Sequence, residues 1–164
     1  MTLPARNPVE VASAYASLDY LTGGEERVIM AVGLGNDPRI CESVGIAKSD
    51  RADYLEEAIE VLRLLWTEDD VHYHGDYYQL DGVSVNPKPD HGALDIWIGG
   101  NSDAALRRIA RYGDGWFPAV MAAEQFETKM NRLMRYCEEE GRVVEDDEAG
   151  MILLSHVSED ESVA

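Results

Sequence analysis

Apolar positions recur along the chain in two alternating rhythms. Pro8 suits the first turn of a helix over 8–20, with Val11, Ala14, Tyr15, Leu18 and Leu21 at i, i+3, i+4, i+7 spacing, and Thr22-Gly23-Gly24 ends it. Val28-Ile-Met-Ala-Val32 follows as an unbroken apolar run closed by Gly33-Leu-Gly35, the pattern of a strand covered on both faces. Residues 36–48 read as loop. Asp50 is placed to cap a long helix over 51–66, with Leu55, Ile59, Leu62 and Trp66 on one stripe. Residues 67–93, rich in turn residues and aromatics and holding Asn86-Pro-Lys-Pro89, predict an excursion with short extended pieces. A second strand, Leu94-Asp-Ile-Trp-Ile98, leads through Gly99-Gly-Asn-Ser102 into a helix ending near Tyr112. Gly115-Trp-Phe117 is a third, short strand, 122–140 an acidic amphipathic helix, and Met151-Ile-Leu-Leu154 a fourth strand before the acidic tail Ser158–Ala164. Helix and strand thus alternate four times. That order predicts an α/β fold with a parallel sheet and right-handed crossovers.

Length and charge sharpen this picture. The chain has 164 residues, whereas a complete (β/α)₈ barrel needs roughly 200–250 at least. Acidic residues number 32 against 14 basic ones, for a net charge of -18. Such an excess disfavours nucleic acid and anionic membrane as partners and suits solubility in high salt, the mark of a halophilic source; a merely acidic cytosolic protein is the plainer alternative. Cys41 and Cys137 lie far apart without a C-x-x-C partner and argue for a reducing compartment. No stretch approaches a membrane span, and residues 1–8 lack a signal peptide's apolar core, so the chain reads as cytoplasmic.

Three ordered segments carry a family likeness. The first is Ala16-Ser-Leu-Asp-Tyr-Leu-Thr-Gly-Gly24 with the Gly33-Leu-Gly35 strand end. The second is Arg51-Ala-Asp-Tyr-Leu-Glu-Glu57 leading to Glu60-Val-Leu-Arg-Leu-Leu-Trp66, Gly75-Asp-Tyr-Tyr78 and Asn86-Pro-Lys-Pro89. The third is Ile96-Trp-Ile-Gly-Gly-Asn-Ser102 with Ala110-Arg-Tyr-Gly-Asp-Gly-Trp116. In these the chain resembles the C-terminal part of luciferase-like flavin- or F420-dependent oxidoreductases, which are TIM barrels. Glu25-Glu26 before Arg27, and Leu94-Asp95 where prolines are usual, depart from the family pattern. The resemblance implies a partial TIM barrel, about half of a (β/α)₈ barrel, as a single domain over residues 1–164 that is incomplete at its N-terminal side. It also implies FMN or coenzyme F420 as cofactor and a small-molecule substrate. An open half-barrel exposes strand edges, so a homodimer or a heteromer completing the barrel is expected, and a non-catalytic half-barrel is the rival to an enzyme.

The residues themselves point to one place for the cofactor. Gly99 and Gly100 allow backbone N–H groups to approach a ligand, Asn101 or Ser102 is placed to cap the helix, and the helix start suits a phosphate; an ordinary capped turn is the alternative. Gly33 and Gly35 end a strand at the face where barrel ligands bind, as a cofactor wall or a plain tight turn. Arg51 and Tyr54 stand where related enzymes place an Arg/Tyr pair near the flavin, and an exposed helix start explains them equally well. His72 and His74 project to one side of an extended segment but lack further patterned ligands for a metal. His91 and His156 are isolated, no Ser/His/Asp or reactive-cysteine pattern supports hydrolysis, Trp66, Trp97 and Trp116 read as core, and Asp114 reads as structural. No catalytic side chain is named, because in this chemistry the cofactor performs the redox step.

Overall fold

The computed structural model describes residues 1–24, 27–142 and 149–150. The expected strand 151–154, His156, the acidic stretch 145–148, the tail and Glu25-Glu26 lie outside them. Helix α1 spans Pro8–Thr22: Asn7 Oδ1 accepts hydrogen bonds from the Val9 and Glu10 N–H groups, and Gly23 turns left-handed at φ +86° to end the helix. Strand β1 is Ile29–Val32, one residue shorter than the apolar run. The segment read as loop holds a short helix, α2, Arg39–Glu42; the Asp37 carboxylate accepts from both the Arg39 backbone N–H and its guanidinium at the helix start.

Helix α3, Arg51–Thr67, buries the expected stripe, with Leu55, Ile59, Leu62 and Trp66 all 0–1% exposed. Its cap differs from expectation. Asp50 is in the α conformation and its side chain caps nothing; instead its Oδ1 accepts the Ser49 hydroxyl at 2.6 Å. The excursion is an antiparallel hairpin of β2, Val71–His74, and β3, Gln79–Val83. The buried Glu57 carboxylate holds its turn, accepting the Tyr77 and Tyr78 N–H groups at 2.8 and 3.2 Å. Strand β4 is Asp95–Gly99, α4 Asp103–Tyr112, β5 Gly115–Phe117 and α5 Ala123–Glu139.

Strands β1, β4 and β5 form a parallel sheet in the order β1-β4-β5, with Ala31 beside Trp97 and Trp97 beside Gly115. Parallel bridges at Thr2–Gly33 and Trp116–Ala149 extend it at both edges. The fold is therefore α/β with a parallel sheet, as expected. Met30, Val32, Ile96 and Ile98 point into the helical layer and are at most 3% exposed. The opposite face is open among the described residues, since Ile29 is 45% exposed and Ala31, Trp97 and Phe117 are half-buried. The expectation of a strand covered on both faces is thus corrected. The continuous apolar run suits both faces, but only one is covered here.

The phase of α1 also needs correction. Its buried face is Pro8, Val11, Ala12, Ala16 and Asp19, whereas Ala14, Leu18 and Leu21 are exposed. Apolar residues are spread around the helix between Glu10, Ser13, Ser17 and Thr22, so spacing alone selects no face. Close approach selects it: Ala12 and Ala16 let α1 lie against α3, and the Trp66 indole donates to the Ala12 carbonyl at 3.0 Å. Trp66 and Trp116 are core as read, while Trp97 lies on the open sheet face, its buried indole N–H without a partner among the described residues. Asp114 ties three segments: its Oδ2 accepts from Arg63 at 2.7 Å and from the Ile96 N–H at 2.9 Å, and Arg142 stands 3.6 Å from Oδ1. Cys41 and Cys137 are buried, and neither is in a disulfide. No helix among the described residues is long and apolar enough to cross a membrane.

Candidate cofactor cleft

Parallel strands deliver their C-terminal ends to one edge of the sheet, and there Gly33, Gly99 and Phe117 open a cleft of about 820 Å³. That volume suits a small molecule of cofactor size. Gly33, Gly35, Gly99, Gly100, Asn101 and Ser102, separate in sequence, all line it. Tyr54 does not line it. Its ring packs 4.1 Å from Tyr77 and 5.8 Å from Tyr78, between α3 and the hairpin.

The β4–α4 turn is held from behind. The Trp116 indole donates to the Gly100 carbonyl at 2.9 Å, and Lys129 of α5 donates to the Asn101 carbonyl at 2.6 Å. Because a trans peptide sets C=O and N–H on opposite sides, these bonds turn the Asn101 and Ser102 N–H groups the other way. Asn101 Oδ1 accepts from the Ala119 N–H, and Ser102 Oγ accepts from the Ala105 N–H at 3.2 Å as the α4 cap. The Asp103 and Ala104 N–H groups have no partner within the helix, as at any helix start.

Glycine is required at one position for conformation and space together. Gly100 has φ +136°, and a Cβ there would meet Ala105 Cβ at 2.7 Å. At Gly99 a Cβ would press on the Val32 and Phe117 carbonyls at 3.3 and 3.4 Å. The β1 end is held by Arg51, whose Nη1 donates to the Leu34 and Gly35 carbonyls, both at 3.1 Å. Arg51 thus clamps the loop wall.

The electrostatics of the cleft run against those of the chain. Among the described residues its lining includes Lys48 and Arg108 but no Asp or Glu. A smaller groove, about 400 Å³ between α3 and the hairpin, is lined by acids, among them Asp53, Glu56, Glu57, Glu60 and Asp76. One acid does stand at the α4 start. Asp103 is turned onto α5, where the Tyr136 hydroxyl donates at 2.8 Å and Arg132 at 2.9 Å. Those bonds, the Tyr136 hydroxyl first, hold its carboxyl below the usual carboxylate range. Burial pushes the Tyr78 hydroxyl up to about 12, so it stays a neutral phenol beside Tyr54.

Sequence reasoning found both glycine turns but missed Arg108, Lys48 and the brace from Trp116 and Lys129. A charge pattern offered the one available signal, since cations are scarce in this chain. His72 stands 2.8 Å from Asp81, and His74 Nδ1 lies 3.1 Å from Gln79 Oε1. Among the described residues no group of three or more His, Cys, Asp or Glu side chains is placed to hold a metal.

Comparisons with known proteins agree with this architecture. The family model for luciferase-like monooxygenases matches residues 1–164. An uncharacterised protein of Mycobacterium tuberculosis is 34% identical over 142 residues, covering 87% of this chain and 48% of the relative. The F420-dependent glucose-6-phosphate dehydrogenase of Amycolatopsis mediterranei is 31% identical over 113 residues, covering 67% of this chain and 33% of the relative. The chain therefore spans about half the length of the first and a third of the second. Among solved structures, an F420-dependent secondary alcohol dehydrogenase with an F420-acetone adduct superposes with a TM-score of 0.76 at 27% identity, over 88% of this chain and 44% of that one. Monooxygenase RslO1 from Streptomyces bottropensis superposes with a TM-score of 0.83 over 99% of this chain and 50% of its own; at 20% identity it shows the fold alone. The chain belongs to the luciferase-like monooxygenase family, whose members are flavin- and F420-dependent oxidoreductases.

Proposed function

We propose that this chain is the cofactor-phosphate half of a flavin- or F420-dependent oxidoreductase acting on a small molecule. The observation that carries this is the cleft where two glycine turns, Gly33–Gly35 and Gly99–Ser102, meet at strand ends beside the α4 start, with no lining carboxylate among the described residues. Relatives named for F420, and a solved monooxygenase named with FMN, support both cofactors as candidates.

The residues fit such a group. Gly99 and Gly100 leave the backbone bare at the strand end, the Asn101, Ser102, Asp103 and Ala104 N–H groups are placed to receive phosphate oxygens, and the Ser102 hydroxyl adds a donor. Gly33 and Gly35 form the opposite wall, fixed by Arg51. The bound group supplies the redox chemistry, and this chain contributes binding, orientation and a dry wall. Tyr54 supports the hairpin side rather than the cleft.

The open sheet face bears on assembly. Ile29, Ala31, Trp97 and Phe117 occupy the side that a closed barrel turns inward. We propose that this half-barrel is completed by a partner, a second copy or another chain, and that activity depends on that completion. Without it the chain is the non-catalytic half-barrel of the rival reading. Two buried cysteines outside any disulfide suit a reducing, cytoplasmic setting.

The test is a titration of the purified chain in high salt with FMN and with F420, followed by cofactor fluorescence. Saturable binding of either at one site per chain is expected. Binding of neither, alone or with the completing half supplied, sinks the proposal.

A further inference from the structure

Arg108 of α4 lines the cleft together with Ala104 and Ala105 and bonds to Glu56 of α3. Its side chain is only 10% exposed. One edge is occupied, with Nε donating to Glu56 Oε1 at 2.8 Å. Among the described residues its two terminal amino groups make no hydrogen bond. A guanidinium carries five donors in a planar fork that matches phosphate oxygens two at a time. Neither terminal nitrogen is sealed off from solvent, so an anion entering the cleft that Arg108 lines can reach them.

We propose that Arg108, steadied by Glu56, is the charged anchor for the phosphate of the ligand held in this cleft. The inference rests on the cofactor-phosphate reading and adds to it the side chain that neutralises the charge. The α4 N–H groups supply direction but only partial charge. In a chain of net charge -18, a phosphate meets general repulsion, and a guanidinium facing it, with the Glu56 carboxylate on its far edge, puts donors and local positive potential next to the ligand. Glu56 acts as a positioning residue: it fixes the Nε edge and leaves the other edge of the fork for the ligand. Lys48, exposed at the rim of the cleft, adds an outer cation that salt screens.

A purely structural α3–α4 ion pair predicts something different, so the readout must separate the two. FMN and riboflavin share the ring and differ by the phosphate. The full chain is titrated with each by flavin fluorescence, for wild type, Arg108→Gln, Arg108→Lys and the double variant Glu56→Gln/Arg108→Gln, with thermal melts alongside. The double variant removes both charges and leaves no orphaned carboxylate if Arg108→Gln alone does not fold. The expected result is a wild-type preference for FMN that falls about 10- to 100-fold in Arg108→Gln and in the double variant, with riboflavin affinity unchanged and part of the preference kept by Arg108→Lys. An FMN preference that persists in both neutralised variants while Ser102→Ala lowers it overturns the role of Arg108 and leaves the phosphate site standing. A wild type that does not distinguish FMN from riboflavin overturns both.

Discussion

Replacing Gly100 with Ala tests the turn on which the cofactor cleft depends. The residue lies at φ +136°, where L side chains rarely sit, and the added Cβ would lie 2.7 Å from Ala105 Cβ, against an ordinary carbon–carbon contact of about 3.5–4.0 Å. Backbone strain of this kind costs about 1–3 kcal/mol, and a similar amount follows if the clash is relieved by moving packed groups. The first turn of α4 is poorly placed to yield, because Trp116 and Lys129 hold the preceding carbonyls and Asp103 is bound to α5. The expected loss is about 2–5 kcal/mol, read by urea denaturation at fixed high salt. Gly33→Ala is the control: its Cβ would find no atom nearer than 3.7 Å, so stability should change by less than about 0.5 kcal/mol. That control also adds a methyl to the wall of the cleft and should weaken cofactor binding without unfolding the chain. Equal stability of Gly100→Ala and wild type would refute the claim that this turn is braced on both sides.

Other expectations follow from charge and from the open sheet. With 32 acidic and 14 basic residues, the melting temperature should rise between about 0.1 and 2 M KCl as self-repulsion is screened; a flat or falling value contradicts the halophilic reading. Asp103 has a folded pKa below its unfolded value, so its contribution is present above the unfolded pKa near 3.9 and is lost as pH falls through the folded one. Asp103→Asn should therefore show a shallower loss of melting temperature than wild type on acidification below about pH 4. Light scattering should give a mass above the 18.2 kDa of one chain, because the face bearing Ile29 and Trp97 needs cover; a monodisperse single chain contradicts this.

Legibility in the sequence followed the strength of the local signal. The α3 stripe was readable because polar residues border it, and a cap at Asn101 or Ser102 was readable by residue type, the structure giving it to Ser102. The α1 face was not, since apolar and polar residues are mixed around that helix and the choice was made by Ala12 and Ala16 packing against α3. Asp50 looked like a cap by type, yet the chain enters α3 already in the α conformation and leaves its carboxylate to Ser49. At the cleft, both glycine turns were visible as motifs. Their meeting across β1 and β4 was not, nor were the long-range partners that matter there: Arg51 on Leu34 and Gly35, Trp116 on Gly100, and Arg108 on Glu56. Tyr54 shows the limit of position alone, for its helix is right and its side chain faces the hairpin aromatics.

Amide chemical shifts followed during titration with FMN test the central claim most directly. In the ¹⁵N-labelled chain the account predicts saturable changes concentrated at Gly33–Gly35 and at residues 99–105, with the Asn101, Ser102, Asp103 and Ala104 N–H signals moving most and riboflavin leaving those four nearly still. Changes confined to the acidic groove between α3 and the hairpin, or equal changes with riboflavin at the α4 start, would contradict it.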